Sequence, residues 1–140
     1  MRKSLQVLSG ALLIAAIALC FAWPYVTMEF AGSAHYTEQD KREYAFYTPD
    51  VLKNMPRVSL HYDFDFVNIT GPASLVHAIR YYDAVDSGKI NAYLESMGYN
   101  KQDNCHIQAV CWRGNDPQEI ITISELDSPK ALLVSVIYNY

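Results

Sequence analysis

The chain lacks charge over one long stretch, since no charged side chain occurs between Lys3 and Glu29. It also lacks the motifs that define catalytic centres, because its four histidines show no HExxH or similar spacing. Repeats, low-complexity tracts and a linker between domains are absent as well. The sequence therefore predicts no catalytic residue and no cofactor, and we expect a non-enzymatic protein.

The uncharged stretch follows the basic start Met1-Arg2-Lys3 and is nearly all Leu, Ile, Ala and Val from Leu5 to Ala22. A cleavable signal has an apolar run of about 7–15 residues, whereas a membrane-spanning helix needs about 20. The length therefore favours a retained transmembrane anchor over residues 1–28, with aromatic rings at its outer end. The residues predicted to form the anchor are Leu5, Leu8, Leu12, Leu13, Ile14, Ile17, Leu19, Trp23 and Tyr25.

Cleavage is the alternative. Cys20 and Ala22 place small residues where a signal peptidase needs them, so a cut after Ala22 would release the rest of the chain. Arg2 and Lys3 would hold the N-terminus inside in either case. We expect a single-pass inner-membrane protein with residues 35–140 outside the cytoplasm, or a secreted or periplasmic protein after cleavage.

The part after the stretch is acidic. It holds all 15 acidic residues, and the 11 basic residues less Arg2 and Lys3 leave nine, so its net charge is about −6 with neutral histidine. Such a domain is a poor partner for nucleic acid. The expected partners are the membrane, through the N-terminal helix, and a protein or envelope component.

Hydrophobic periodicity predicts the elements of this domain. Alternating residues indicate a strand over Val58–Val67. Leu75–Tyr82 fits a helix by the spacing of Leu75, Ile79 and Tyr82, but the Gly71-Pro72 turn favours a hairpin with a returning strand there. An apolar stripe predicts a helix that begins near Asp86 and ends at Gly98. The remaining elements are short helices from Thr37 and Pro49 and strands over 107–112, 120–126 and 132–138. This order predicts an α+β fold, a mostly antiparallel sheet of about five strands with one main helix packed on it.

His61, Asp63 and Asp65 share one face of the first predicted strand, which suggests a weak metal or acid–base site. Alternate residues on a strand lie about 6.6 Å apart, which is wide for ligands of one ion. The hairpin register places Arg80 opposite Asp63 and diagonal to Asp65, so a cross-strand ion pair is the favoured interpretation.

Cys105 and Cys111 are the two cysteines outside the apolar stretch, and we expect a disulfide between them because exported cysteines usually pair. Six residues of extended strand would hold their Cα atoms about 20 Å apart, whereas a disulfide needs about 5.5 Å. The bond therefore requires the segment to bend back, and a regular strand would leave both thiols free.

Three functions are consistent with these features. The favoured one is a small membrane-anchored or exported, periplasmic interaction domain without enzymatic activity. A narrower version is a periplasmic inhibitor or immunity protein against a toxin, because an acidic domain suits a basic target. The alternative from another class is a small envelope hydrolase or metal-binding protein that uses His61, Asp63 and Asp65.

Overall fold

The structure is a computed structural model that describes residues 1–105 and 109–140. The chain forms two compact units, Met1–Ala31 and Gly32–Tyr140. The first unit is dominated by one helix, and the second contains all the strands among the described residues.

Helix α1, Arg2–Glu29, forms the first unit. Among the described residues it is the one helix long and apolar enough to cross a membrane, a property shared with signal sequences. Pro24 lies inside this helix, which continues for five residues beyond it to Glu29. The N-terminal apolar helix is thus present, as an anchor or a signal segment.

The second unit is an α+β domain, as predicted. Its described strands form one sheet of seven antiparallel strands, in the order β1-β2-β3-β7-β6-β5-β4, so the expectation of five strands is wrong. The strands are β1 Ser33–Tyr36, β2 Tyr62–Thr70, β3 Ala73–Tyr82, β4 Asn100–Lys101, β5 Val110–Arg113, β6 Glu119–Asp127 and β7 Lys130–Asn139. Strand β7 is the central strand of this order and is apolar on both faces, as is typical of central strands.

The two additional strands are the edges of the sheet. Strand β1 has four residues and β4 has two, too few for a period of two to be visible in the sequence. The predicted strand over 107–112 corresponds to β5, and residues 106–108 lie outside the described residues. Strand β2 begins at Tyr62 rather than Val58, so residues 58–61 belong to the preceding loop.

The β2–β3 hairpin has the register expected from its turn. Asp63 pairs with Arg80 and Phe66 with His77, so the two Gly71-Pro72 residues are the centre of the connection. This register gives β2 and β3 one apolar face and one charged face.

Three helices pack on the apolar face. They are α2 Lys41–Tyr47, α3 Asp50–Lys53 and α4 Gly88–Ser96. The first begins at Lys41 rather than Thr37, because Asp40 is its N-cap residue and the Asp40 carboxylate accepts a hydrogen bond from the Thr37 backbone N–H. The core between helices and sheet contains, among others, Leu52, Phe64, Ile79, Tyr81, Ile90, Leu94, Trp112, Ile121, Leu132, Val134 and Val136.

Candidate functional site: an uncovered face of the sheet

The sheet face opposite the helices is the candidate site. None of the helices described in the second unit packs on this face, which carries the side chains that alternate with the core positions. Strand pairing arranges these side chains in rows that run across the strands. One row is aliphatic and consists of Val67, Val76, Ile137 and Ile120. A second row lies four residues from the aliphatic row along each strand. It consists of Asp63, Arg80, Leu133 and Ser124.

A trough lies between these two rows. Its floor is a row of small side chains, one from each of four neighbouring strands: Ala78, Ser135, Thr122 and Cys111. The floor residues are buried beneath the taller side chains of the flanking rows. Two cavities of about 400 Å³ and about 410 Å³ occupy the face, one at the β1–β2 side and one beside the Cys105–Cys111 segment. The trough therefore has small uncharged side chains on its floor, an aliphatic row on one side and a row that includes Asp63 and Arg80 on the other.

A charged cluster closes the β2 end of the trough. Asp65 pairs with the floor residue Ala78, and His35 of β1 pairs with Asp65. The His35 Nδ1 lies 2.7 Å from Asp65 Oδ1, and its Nε2 lies 3.6 Å from Asp63 Oδ2. One imidazole therefore faces two carboxylates from the neighbouring strand. The hydrogen bond that His35 donates to the Asp65 carboxylate is the largest cause that raises the pKa of His35 above its usual value.

Arg80 lies on the other side of the same carboxylates. Its guanidinium is 3.2 Å from Asp65 Oδ2 and 3.8 Å from Asp63 Oδ1, and the Tyr82 hydroxyl donates a 2.6 Å hydrogen bond to Asp63 Oδ2. The Asp63 and Asp65 side chains are 13% and 27% exposed. The structure thus brings together the predicted partners Asp63, Asp65 and Arg80. They form a cluster in which the positive charge of Arg80 offsets part of the negative charge of the two carboxylates.

The structure does not include His61 in this cluster. His61 precedes β2 and lines a shallow cavity that also borders Asp63, whereas His35 supplies the imidazole beside the two carboxylates. Ligand atoms of His35, Asp63 and Asp65 lie within 4.8 Å of one another, so three ligand-type groups do converge. Arg80 already neutralises part of their negative charge, which makes this a poor cation site.

Sequence reasoning missed His35 and the trough. His35 lies 30 residues before Asp65, in a strand too short to be detected. The trough floor is invisible in any one strand because each strand contributes a single small residue. The sequence signal that pointed to an apolar second face of the sheet was that both faces of β7 carry apolar side chains.

Cys105 and Cys111 meet at the other end of the trough. Their Cα atoms lie 5.8 Å apart, at disulfide distance. Both residues line the second cavity, together with Arg113, which follows Cys111 on the same face of β5. This separation is far shorter than the about 20 Å that six residues of extended strand would give, so the two cysteines are placed as the predicted disulfide requires.

No family model matches the chain, and comparisons with curated proteins and with solved structures also found no match.

Proposed function

We propose that this chain is a membrane-tethered or exported binding domain that recognises another protein through the uncovered face of its sheet. One observation carries the proposal: helices α2, α3 and α4 lie on one face of the sheet, and the opposite face presents the trough. Exposed aliphatic surface of this kind is a common mark of protein interaction sites.

The rows of the trough support a protein partner. The aliphatic row supplies apolar contact area, with Val67 exposed at its β2 end and Ile69 exposed two residues further along the same strand. A binding surface with an apolar centre and a polar rim is typical of specific protein interfaces.

The compensated charges support binding rather than catalysis. A general acid or base needs a carboxylate or imidazole free to exchange protons with a substrate. The oxygens of Asp65 face His35 and Arg80, and Asp63 accepts a hydrogen bond from Tyr82. The cluster therefore has a structural role, because its contacts hold β1, β2 and β3 together at the edge of the binding face.

The apolar helix α1 supports placement of this domain at a membrane surface. The basic residues Arg2 and Lys3 favour an N-terminus inside and a domain outside the cytoplasm. The pairing distance of Cys105 and Cys111 suits an oxidising compartment. The bacterial periplasm is the compartment we propose, with toxin neutralisation as a narrower role for the same face.

Photo-crosslinking tests this function in the cell. A benzophenone amino acid replaces Val76 in the aliphatic row, and the matched control replaces Val85, which is 55% exposed outside the trough. We expect the probe at position 76, and not the control, to form an adduct with a second protein species. Adducts of equal yield at both positions, or none at position 76, would contradict the proposal.

A further inference from the structure

We infer that His77 is an acid-sensitive switch on the helix-covered face of the sheet. While its imidazole is neutral, the C-terminal end of α2 packs against the sheet, and protonation of the imidazole releases that end. The inference concerns the face opposite the trough and does not depend on the proposed binding function. It rests on the contacts of the imidazole, on its buried nitrogen without a partner and on the different contacts that hold α2 and α3.

His77 lies in an aromatic cluster that includes the end of α2. On β3 it pairs with Phe66, and its ring centroid lies 5.1 Å from that of Phe66 and 5.8 Å from that of Tyr138. Tyr47, the last residue of α2, is 4% exposed and stacks on Phe66 at 4.7 Å. The imidazole and the end of α2 are therefore packed around the same phenylalanine.

A second proton on the imidazole would have no acceptor. The Nδ1 atom of His77 is buried and has no hydrogen-bond partner among residues 1–105 and 109–140. A neutral imidazole carries one N–H and a protonated one carries two, and a buried charge is costly unless it is paired. Burial accordingly lowers the pKa of His77, and the Tyr47 backbone raises it by less.

Among the described residues, no charged side chain compensates a protonated His77. The side chains around the imidazole are Phe66 of β2, Tyr138 of β7 and Tyr47 of α2, and tyrosine hydroxyls stay neutral below about pH 10. The Glu119 carboxylate, on the residue that pairs with Tyr138, accepts a 2.6 Å hydrogen bond from the Tyr99 hydroxyl and does not contribute to the His77 pKa. The charged residues of α2 do not contribute to it either: Lys41, Arg42 and Glu43.

The direction of the pH effect follows from burial of the neutral form. Because the folded-state pKa of His77 is lowered, its packing is fully stabilising above the unfolded-state pKa of about 6.5, and stability is lost as pH falls toward the folded-state value. His35 has the opposite sign, since its pairing with Asp65 strengthens when its imidazole is protonated. Acid therefore strengthens the β1–β2 edge while it weakens the packing of α2.

Helix α3 keeps its contacts in acid because charged groups hold it. Arg57 donates hydrogen bonds to the Leu52 and Met55 carbonyls and to the Glu38 carboxylate. Hydrogen bonds from Tyr62 and Arg57 hold the pKa of Glu38 below its usual value, so this carboxylate stays charged in mild acid.

The C-terminal end of α2 is held by neutral groups instead. Tyr47 contributes its ring contact with Phe66, and the Tyr36 and Thr48 hydroxyls share a 2.7 Å hydrogen bond. These contacts compensate no charge on His77. Protonation should therefore open this end locally while the rest of the domain stays folded.

Hydrogen–deuterium exchange on the full chain in detergent tests the switch. Exchange at about pH 5 and about pH 7.5 is compared in peptides that cover α2 and α4, after correction for the pH dependence of exchange in an unstructured peptide. We expect α2 to exchange at least about threefold faster at the lower pH, with α4 unchanged. His77→Phe keeps a ring beside Phe66 but cannot be protonated, so it should abolish the difference.

His61→Phe is the matched control, because it makes the same chemical change at an exposed residue outside the cluster. This variant should keep the acid response of α2. An undiminished response in His77→Phe, no response in the native chain, or equal acceleration of α4 would overturn the inference.

Nuclear magnetic resonance of the native chain supplies a readout without substitution, which decides the matter if His77→Phe does not fold. The His77 imidazole should titrate below about pH 6.5, and the amide shifts of Tyr47 and Thr48 should change with the same midpoint. A His77 midpoint at or above that value, or amide shifts of α2 that do not follow it, would overturn the switch.

Discussion

Replacement of Arg80 by methionine should destabilise the domain far more than the same change at Arg113. Arg80 contacts Asp63 and Asp65 at 3.8 and 3.2 Å. Its removal takes the guanidinium away from Asp63, which is 13% exposed and whose Oδ1 has no hydrogen-bond partner among the described residues even with Arg80 in place. Arg113 is exposed and donates one hydrogen bond, to the Pro117 carbonyl.

The magnitude follows from the degree of burial. Exposed ion pairs contribute about 0.2–1 kcal/mol, and removal of one partner from a buried pair costs about 3–5 kcal/mol. The Arg80 cluster lies between these limits, so Arg80→Met should lower the free energy of unfolding by about 2 kcal/mol. Arg113→Met should change it by less than about 0.5 kcal/mol.

Urea unfolding of the full chain in detergent measures both effects. Trp112 is 1% exposed and reports on the core by fluorescence, and a Trp23→Phe background removes the other tryptophan. Asp63→Asn in the Arg80→Met variant should recover part of the loss because it removes the uncompensated carboxylate. Equal destabilisation by the two arginine substitutions, or no recovery by Asp63→Asn, would refute the reasoning.

Three further predictions concern the two ends of the trough. Because the pKa of His35 is raised in the folded state, His35 stabilises the domain fully below its unfolded-state pKa of about 6.5, and this stabilisation is lost as pH rises through the folded-state value. His35→Gln should therefore lower the free energy of unfolding more at acidic than at alkaline pH in urea titrations. A uniform effect across pH would contradict this. Zinc should not raise the melting temperature of the native chain because Arg80 competes for the carboxylates, and zinc stabilisation that His35→Gln abolishes would instead favour the metal-binding alternative. Cys105→Ser with Cys111→Ser should cost about 2–3 kcal/mol, and alkylation without reduction should label Cys20 alone, whereas labelling at all three cysteines would show that the pair is reduced.

The hairpin could be predicted because its information is local. The Gly71-Pro72 turn and the alternation around Asp63 and Asp65 fall within one short segment, so the register with Arg80 followed from counting. Helix α4 could be predicted for the same reason, since its apolar stripe repeats at the helical period. These elements depend on residues close together in sequence.

The site was only partly predictable because its other parts depend on distant pairing. His35 belongs to a four-residue edge strand that is defined by its pairing with β2, and no local pattern links it to Asp65. The placement of His61 in the predicted site failed because β2 begins at Tyr62, so His61 lies in the preceding loop. The trough required the order of β3, β7, β6 and β5, which no single segment encodes.

Footprinting of side chains in native membranes tests the central claim most directly. A photoactivated carbene reagent labels the full chain in membranes and after purification in detergent, and mass spectrometry compares Leu133 and Ile137 in the trough with Val85 outside it. If the sheet face binds a partner protein, labelling of Leu133 and Ile137 should be lower in membranes than in the purified chain, while labelling of Val85 stays constant. Equal labelling of the trough residues in both preparations would contradict the account.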